Sequence, residues 1–348
     1  MSETHRTDVA IIGAGPVGLF AVFECGMLKM RAHVIDALDV QGGQCAALYP
    51  EKPIFDIPGY PSIDAAGLID KLEQQVAPFH PHYTLGQQVE KLTRQTDGRI
   101  LVETTGGVRI DARAVIVAAG VGAFGPNRPP LDGIEAYEGK SVFYYVKRRE
   151  DFRGKRVLIA GGGDWALDWA LNLVDVAAKV MVVHRRAKFR GAPESVARLQ
   201  KLADEDRIEL LIPYQLFGLE GSGGKLSSVT LADLEGHTRQ VPADALLAFF
   251  GLAMNLGPIG GWGIELDGNK HHVKIDPATC ATSVPGIFAI GDIASYPGKL
   301  KLILCGFSEA AMAAHAIYPL VHPGEALHFE YSTTSGVPGL CRCRHGVN

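Results

Sequence analysis

The 348-residue sequence predicts an α/β fold of two nested domains, each built on a parallel sheet and followed by a β-meander. Three observations lead to this prediction. An apolar strand, a glycine-rich turn and an apolar helix occur in that order near residue 13 and again near residue 161. A second strand follows each helix, and each half closes with a further apolar strand. The length is also that of two ordinary domains.

The first repeat carries the complete sequence pattern of a dinucleotide-binding unit. An apolar strand leads into G-A-G-P-V-G at residues 13–18, an apolar helix follows, and a second strand ends at Asp36. Gly13 allows a tight turn, Gly15 lets the backbone approach a pyrophosphate, and Gly18 lets helix and strand pack closely. Asp36 is placed to accept hydrogen bonds from ribose hydroxyls. These four residues are therefore predicted to bind a dinucleotide.

The second repeat has the same spacing but a different charge. It reads G-G-G-D-W-A at residues 161–166, and His184 follows Gly161 by 23 residues, as Asp36 follows Gly13. Arginines directly after that position accommodate a ribose 2′-phosphate, whereas an acid selects a free 2′-hydroxyl. We therefore expect FAD in the first domain and NADPH in the second. The predicted NADPH contacts are Gly161, Gly163, Asp164, Ala166, Arg185, Arg186 and Arg190.

The closing strands of the two halves define the expected domain boundaries. Apolar strands at residues 114–120 and 244–251 end the first and second halves. A last strand, G-I-F-A-I-G-D, ends on Asp292 before an apolar helix. An acid at that strand end suits a flavin ribityl or phosphate site, so the C-terminal segment should return to the first domain. The predicted FAD domain is residues 1–120 with 252–335, the NADPH domain is 121–251, and residues 336–348 form a tail.

Composition and charge exclude several classes of protein. With 47% hydrophobic and 21% charged residues, the chain is predicted to be globular. A net charge of -4 and a pI near 6.3 provide no basic footprint for nucleic acid. No apolar run is expected to reach the length of a membrane span, and no signal segment precedes the first strand. No nucleic-acid or membrane partner and a cytoplasmic location are therefore expected.

The six cysteines give no sign of a dithiol centre or a metal site. No two of them stand in C-x-x-C spacing. Cys341 and Cys343 form a C-x-C in a tail without further ligands, so we interpret them as solvated thiols. No metal is predicted.

Taken together, the motifs resemble those of the thioredoxin-reductase-like ferredoxin–NADP reductases. The shared glycine motifs occur with H-R-R-x-x-F-R at residues 184–190 and A-I-G-D at 289–292. Y-P-E-K-P at 49–53, I-P-G-Y-P at 57–61 and L-G-P-I-G-G-W-G at 256–263 look specific to this branch. The resemblance extends from about Thr7 to Ser335. It implies a thioredoxin-reductase-like architecture, a homodimer, and electron transfer between NADPH and ferredoxin or flavodoxin through FAD.

The resemblance also implies further FAD contacts. Tyr49 would stack on the flavin, Val89 would meet the adenine edge, and Tyr331 in the tail would cover the ring. The complete implied set adds Gln44, Tyr49, Val89, Phe124, Asp292, Tyr331 and Thr333 to the four residues of the first motif. No catalytic side chain is implied, because the cofactors themselves carry the redox chemistry.

Two departures from related proteins leave alternatives open. Thioredoxin reductases carry C-x-x-C just before the second glycine motif, whereas residues 142–155 contain no cysteine, which excludes the usual route of disulfide reduction. Trp165 replaces a small hydroxyl residue, and it either crowds NADPH or turns aside and packs. The alternatives are an NADPH-dependent flavin reductase, a disulfide reductase acting through a partner's thiols, and a flavoprotein redox sensor without sustained turnover. The sequence does not identify the acceptor, the direction of electron flow or the role of the tail.

Overall fold

The chain divides into two compact units, seen in a computed structural model that describes residues 4–327 and 336–337. Only the backbone is described at residues 123–126 and 252–254. The first unit runs to Phe124 and resumes at Met254, and the second unit is Gly125–Ala253. The boundaries therefore fall a few residues beyond the expected positions after Gly120 and Gly251.

The first unit begins with an alternation of short strands and helices. Its helices before the first crossing are α1 (Pro16–Met27), α2 (Gly43–Ala47) and α3 (Ala65–Val76). The strands, in chain order, are β1 (Thr4–Arg6), β2 (Val9–Ile12), β3 (Ala32–Ile35), β4 (Pro53–Ile54), β5 (Ile63–Asp64), β6 (His82–Thr84), β7 (Val89–Arg94), β8 (Ile100–Thr104), β9 (Arg109–Ala112), β10 (Ala114–Val117) and β11 (Ala123–Pro126).

The second unit repeats this plan, and the chain then returns to the first. The helices are α4 (Asp164–Leu173) and α5 (Pro193–Asp204) in the second unit and α6 (Ile303–Val321) in the returning segment. The strands are β12 (Val142–Phe143), β13 (Arg156–Ala160), β14 (Lys179–Val183), β15 (Ile208–Leu211), β16 (Gln215–Ser222), β17 (Lys225–Ala232), β18 (Thr238–Pro242), β19 (Ala245–Ala248), β20 (Leu252–Asn255), β21 (Val273–Lys274), β22 (Ile287–Ala289) and β23 (Ala294–Ser295).

Each unit contains a five-stranded parallel sheet with the same strand plan. The order is β22-β10-β2-β3-β6 in the first unit and β12-β19-β13-β14-β15 in the second. Strand β22, beside β10, belongs to the segment that returns to the first unit after the second. Strand β12, beside β19, comes from the beginning of the second unit. The meanders are the β1-β9-β8-β7 sheet and the antiparallel β16-β17-β18 sheet.

The central strands are buried on both faces, which explains why they are continuously apolar. In β2, Val9 and Ile11 pack into one core cluster, and Ala10 and Ile12 pack into another. Successive side chains of a strand point to opposite faces, so two separate cores on one strand require cover on both sides. In β13 the residues likewise alternate between two clusters. Both parallel sheets are therefore covered by other elements on both faces, as is usual in α/β domains.

Helix α6 corrects one expectation from the sequence. Among the described residues it is the helix long and apolar enough to cross a bilayer by length and composition, so the prediction that no apolar run reaches this length is wrong. Its Ala310, Ala313, Ala314 and Ile317 are buried in a core cluster shared with α1. Such one-sided packing against a neighbouring helix is typical of the core helix of a globular unit.

Candidate functional site

A cavity of about 350 Å³ lies in the first unit at the carboxyl ends of its parallel strands. Gly13 follows β2, Asp36 follows β3, and Asp292 lies just beyond β22. In open α/β sheets, ligands bind in the crevice outside these strand ends. The cavity wall includes seven of the predicted FAD contacts, which are Gly13, Gly15, Asp36, Gln44, Tyr49, Val89 and Asp292.

The glycine turn brings the start of α1 against the sheet. Gly13 has a φ of +112°, and a Cβ there would lie 2.3 Å from the Ala118 carbonyl oxygen. A Cβ on Gly18 would lie 1.9 Å from the Gly13 carbonyl oxygen, so Gly18 serves helix packing and does not line the cavity. Nothing lies within 4 Å of a Cβ built on Gly15. The open space before the N-terminus of α1 therefore fits a pyrophosphate group.

Asp36 is fixed at the next strand end by backbone groups. Its carboxylate accepts hydrogen bonds from the amides of Ala14 at 2.6 Å and Leu38 at 2.8 Å. Burial raises the pKa of Asp36, and these amide donors oppose the shift. The Gln87 amide donates to the Asp36 carbonyl at 3.0 Å, which places the start of β7 and the buried Val89 beside it. This end of the cavity suits the ribose and adenine of a dinucleotide.

Another part of the cavity wall is built by the G-G-Q segment and Tyr49. The Gly42 amide donates to the Ala14 carbonyl at 2.8 Å, so the segment is attached to the first glycine motif. Gly42 has a φ of +104°, and α2 then carries Gln44 and Cys45 to the cavity. Burial raises the pKa of Cys45 to about 11 and also raises the pKa of Tyr49, so both stay protonated at neutral pH. Tyr49 therefore offers a neutral aromatic surface.

Three predicted contacts fall outside the described atoms. Only the backbone of Phe124 is described, and Tyr331 and Thr333 lie outside the described residues. Their contacts with FAD stay predictions.

The cavity also contains residues that the sequence motifs did not identify as contacts. Gln87, Gln88, Cys45 and Trp262 line it. The Trp262 indole N–H donates to the Glu90 carbonyl at 3.1 Å, which fixes the ring beside Val89, the predicted adenine contact. This tryptophan belongs to L-G-P-I-G-G-W-G, a stretch that indicated the family branch without suggesting a role. That stretch was the only available signal.

Replacing Trp262 by alanine is expected to weaken FAD far more than FMN, because FMN lacks the adenosine half. An aromatic ring stacked on a base contributes about 1 to 3 kcal/mol. FAD affinity should therefore fall roughly 5-fold to 150-fold. Titration of apo-protein with both flavins measures this, and Trp262→Phe, which keeps an aromatic ring, is the matched control. Equal losses for FAD and FMN would show that Trp262 does not contact adenine.

The second unit reproduces the same strand-end geometry. The Gly161 amide donates to the Val183 carbonyl at 3.2 Å, as the Gly13 amide does to Ile35 at 2.8 Å. The His184 amide donates to Leu211 of β15, just as the Asp36 amide donates to Thr84 of β6. His184 and Asp36 therefore occupy equivalent places, as the shared spacing predicts.

The loop after His184 is fastened to the second glycine motif. A Cβ on Gly162 would lie 2.2 Å from the His184 imidazole, which itself stacks on Phe189 with ring centroids 5.3 Å apart. The Arg190 amide donates to the Gly162 carbonyl at 2.7 Å. The Asp164 carboxylate accepts from the Ala192 amide at 2.8 Å, so its observed role is to hold the end of this loop.

These contacts gather positive charge beside an open helix N-terminus. The side chains of Arg185, Arg186 and Arg190 are exposed. Burial lowers the pKa of His184, a hydrogen bond to the Lys188 backbone opposes this, and the three arginine charges lower the pKa further. His184 Nε2 is buried without a hydrogen-bond partner among the described residues.

Nothing lies within 4 Å of a Cβ built on Gly163, while Ala166 is fully buried at the position equivalent to Gly18. The site therefore fits an anionic nucleotide.

Trp165 packs against the core of the second unit. Its ring meets Phe249 edge-on, with centroids 6.3 Å apart and planes at 79°. The half-buried side chain also packs on a core cluster. Of the two alternatives left open by the sequence, the structure favours the one in which the indole turns aside.

We therefore expect Trp165→Ser to leave the KM for NADPH unchanged within about 2-fold and to lower stability by about 1 to 3 kcal/mol, as is usual when a packed side chain is truncated. Steady-state kinetics and thermal unfolding provide the two measurements, with Trp165→Phe as the matched control. A clearly lower KM in Trp165→Ser would mean that the indole crowds the nucleotide after all.

Comparison with known proteins gives a consistent result. Residues 7–316 match the pyridine nucleotide-disulphide oxidoreductase family. The chain is 64% identical over 334 residues to a ferredoxin–NADP reductase of Paramagnetospirillum magneticum, covering 96% of this chain and 98% of the relative. It is 61% identical over 342 residues to a ferredoxin–NADP reductase of Rhodospirillum rubrum, covering 97% and 99%.

Solved structures with the same fold include two thioredoxin reductases. The enzyme of T. acidophilum matches with a TM-score of 0.77 and 24% identity, covering 90% of this chain and 98% of that one. The enzyme of Lactococcus lactis matches with a TM-score of 0.77 and 24% identity, covering 91% and 99%. At this identity the likeness shows the thioredoxin-reductase-like fold alone.

Proposed function

The chain belongs to the pyridine nucleotide-disulphide oxidoreductase family, in its ferredoxin–NADP reductase branch, and from this premise we propose that it transfers electrons between NADPH and ferredoxin through FAD. One observation in the structure carries the proposal. Two equivalent strand ends bear opposite charges. The first unit has Asp36, and the second has the loop after His184 that carries Arg185, Arg186 and Arg190, here called the arginine loop. Such a pair suits one nucleotide with a free 2′-hydroxyl and one with a 2′-phosphate.

We propose which residues would hold each cofactor from the cavity lining together with the resemblance. Gly15 and the first turn of α1 would hold the FAD pyrophosphate, and Asp36 would hold the adenosine ribose. Gln44, Tyr49 and Asp292 would contact the flavin half. In the second unit, Gly163 would face the NADPH pyrophosphate, and the arginine loop would face the 2′-phosphate.

The protein's contribution is binding, orientation and exclusion of water. When bound, the flavin and nicotinamide supply hydride and single-electron chemistry. The buried Val89 and the wall residues Leu256 and Ile259 cover the cavity with apolar surface. The thiol of Cys45 stays protonated at neutral pH because burial raises its pKa to about 11, so it is not a ready nucleophile. No acid–base side chain is needed for this reaction.

Ferredoxin is supported as the acceptor by the names of the close relatives. Flavodoxin is proposed as a second acceptor, and a homodimer is proposed on the resemblance alone. A cytoplasmic location is also proposed. The free cysteines among the described residues, which are Cys25, Cys45, Cys280 and Cys305, fit a reducing compartment.

The decisive experiment compares acceptors for one FAD-loaded preparation. We expect NADPH to drive rapid reduction of ferredoxin and flavodoxin, and NADH to be a poor donor. Thioredoxin and free FMN should be reduced slowly. Preferred reduction of FMN would support the flavin reductase, and preferred reduction of thioredoxin would support a disulfide reductase. Binding of both nucleotides without turnover on any acceptor would support a redox sensor.

A further inference from the structure

A buried ion pair lies beneath the turn that carries Asp292, and the proposed mechanism does not use it. Glu309 of α6 is 3% exposed, and the side chain of its partner Lys299 is 8% exposed. The Lys299 ammonium donates to Glu309 Oε1. The Tyr296 hydroxyl donates to the same oxygen at 2.7 Å. The Gly291 amide donates to Oε2 at 2.7 Å.

Burial of this ion pair costs desolvation free energy, so we looked for a structural role beyond stability. Removing two charges from water costs more than an ordinary contact returns, and a buried pair is weak evidence for stability by itself. The Glu309 carboxylate is well satisfied, since it receives donors on both oxygens. One of those donors is a backbone amide at a turn. The pair therefore specifies the position of that turn.

The turn connects the sheet to the cavity wall. The Ile290 amide donates to the Val117 carbonyl at 3.0 Å, which continues the pairing of β22 with β10. Gly291 then adopts a φ of +73°, and Asp292 follows on the cavity wall. A Cβ on Gly291 would lie 3.5 Å from Val17, in the first turn of α1. The direction of Asp292 thus depends on how Gly291 is held.

We propose that Glu309, paired with Lys299, is a positioning residue that holds the Gly291 amide and so aims Asp292 at the ribityl and phosphate part of FAD. The inference rests on the proposed assignment of this cavity to FAD. It predicts that Glu309 affects FAD only through Asp292.

A double-mutant cycle tests this dependence. Apo-protein is titrated with FAD for the native chain, Glu309→Gln, Asp292→Asn and the double variant. Glu309→Gln should weaken FAD roughly 10-fold in the native background, in line with the loss of a hydrogen bond to a charged group. In the Asp292→Asn background the same change should weaken FAD less than about 2-fold. Equal losses in both backgrounds, or no loss in either, would overturn the proposal.

Two further variants separate positioning from general stability. Asp111→Asn breaks another ion pair of the first unit, with the buried Arg99, and should lower the melting temperature without coupling to Asp292.

Tyr296→Phe removes one donor to Glu309 without changing charge. If Glu309→Gln does not fold, Tyr296→Phe replaces it in the cycle, with an expected loss of roughly 3-fold that disappears in the Asp292→Asn background. A native chain that does not bind FAD would refute the proposed function instead.

Discussion

Replacing Gly15 by alanine is expected to abolish tight FAD binding while the first unit stays folded. Gly15 has a φ of -70° and a ψ of 178°, which alanine adopts without strain. Apart from Gly15 and its neighbours in the chain, no residue comes within 4 Å of the added methyl group. The methyl would instead occupy the space that a pyrophosphate needs beside the N-terminus of α1. Losing two hydrogen bonds to a charged group costs about 3 kcal/mol or more, so FAD should weaken at least about 100-fold.

Gly18 provides the contrasting substitution in the same motif. A Cβ there would lie 1.9 Å from the Gly13 carbonyl oxygen, a backbone atom that cannot turn away. Overpacking of this kind costs about 3 kcal/mol or more, so the melting temperature of apo Gly18→Ala should fall by roughly 6 to 12 °C. Thermal unfolding of the apo-protein and flavin titration give the two measurements for both variants.

A third alanine variant controls for the choice of unit. Gly163 is the counterpart of Gly15 in the second unit, and a Cβ added there would likewise meet nothing within 4 Å. Gly163→Ala should weaken NADPH and leave FAD content unchanged. If Gly15→Ala lowers the melting temperature of the apo-protein as much as Gly18→Ala does, the space beside Gly15 is not a ligand-binding site.

Removing Arg185 or Arg190 should weaken NADPH strongly and barely affect NADH. The Arg190 backbone is held by the Gly162 carbonyl at 2.7 Å, so its side chain starts from a fixed point beside the glycine motif. A hydrogen bond to a charged group is worth about 1.5 to 3 kcal/mol, so each substitution by alanine should cost roughly 10-fold to 150-fold in kcat/KM for NADPH. Arg186 should contribute less, as an assisting charge.

The measurement is kcat/KM for both nucleotides in Arg185→Ala, Arg190→Ala and the double variant, at low and high salt. Arg198, an exposed arginine on α5 of the same unit, supplies the matched control as Arg198→Ala. Salt should weaken NADPH binding less in the variants than in the native chain, because fewer charges remain to be screened. Equal losses for NADPH and NADH would refute recognition of the 2′-phosphate by these residues.

The two nucleotide-binding repeats, and the difference in charge between them, could be predicted from the sequence. Glycine turns, buried strands and the residue after the second strand are local features, because turn geometry and strand periodicity depend on neighbours in the chain. The equal 23-residue spacing placed His184 opposite Asp36, and the backbone hydrogen bonds to β6 and β15 show that equivalence directly. Gly18, which the sequence placed among the dinucleotide-binding residues for its part in packing helix against strand, packs on the Gly13 carbonyl and does not line the cavity.

Which distant side chains meet these motifs could be seen only in the folded chain. Trp262 donates to the Glu90 carbonyl, 172 residues away and next to the predicted adenine contact Val89, and Glu309 on α6 accepts from the Gly291 amide. Trp165 could point in either direction until Phe249 supplied a packing partner. The long apolar segment of α6 is likewise recognised as a core helix only from its packing against α1. Burial and hydrogen-bond partners depend on segments that folding brings together, and no local pattern encodes that proximity.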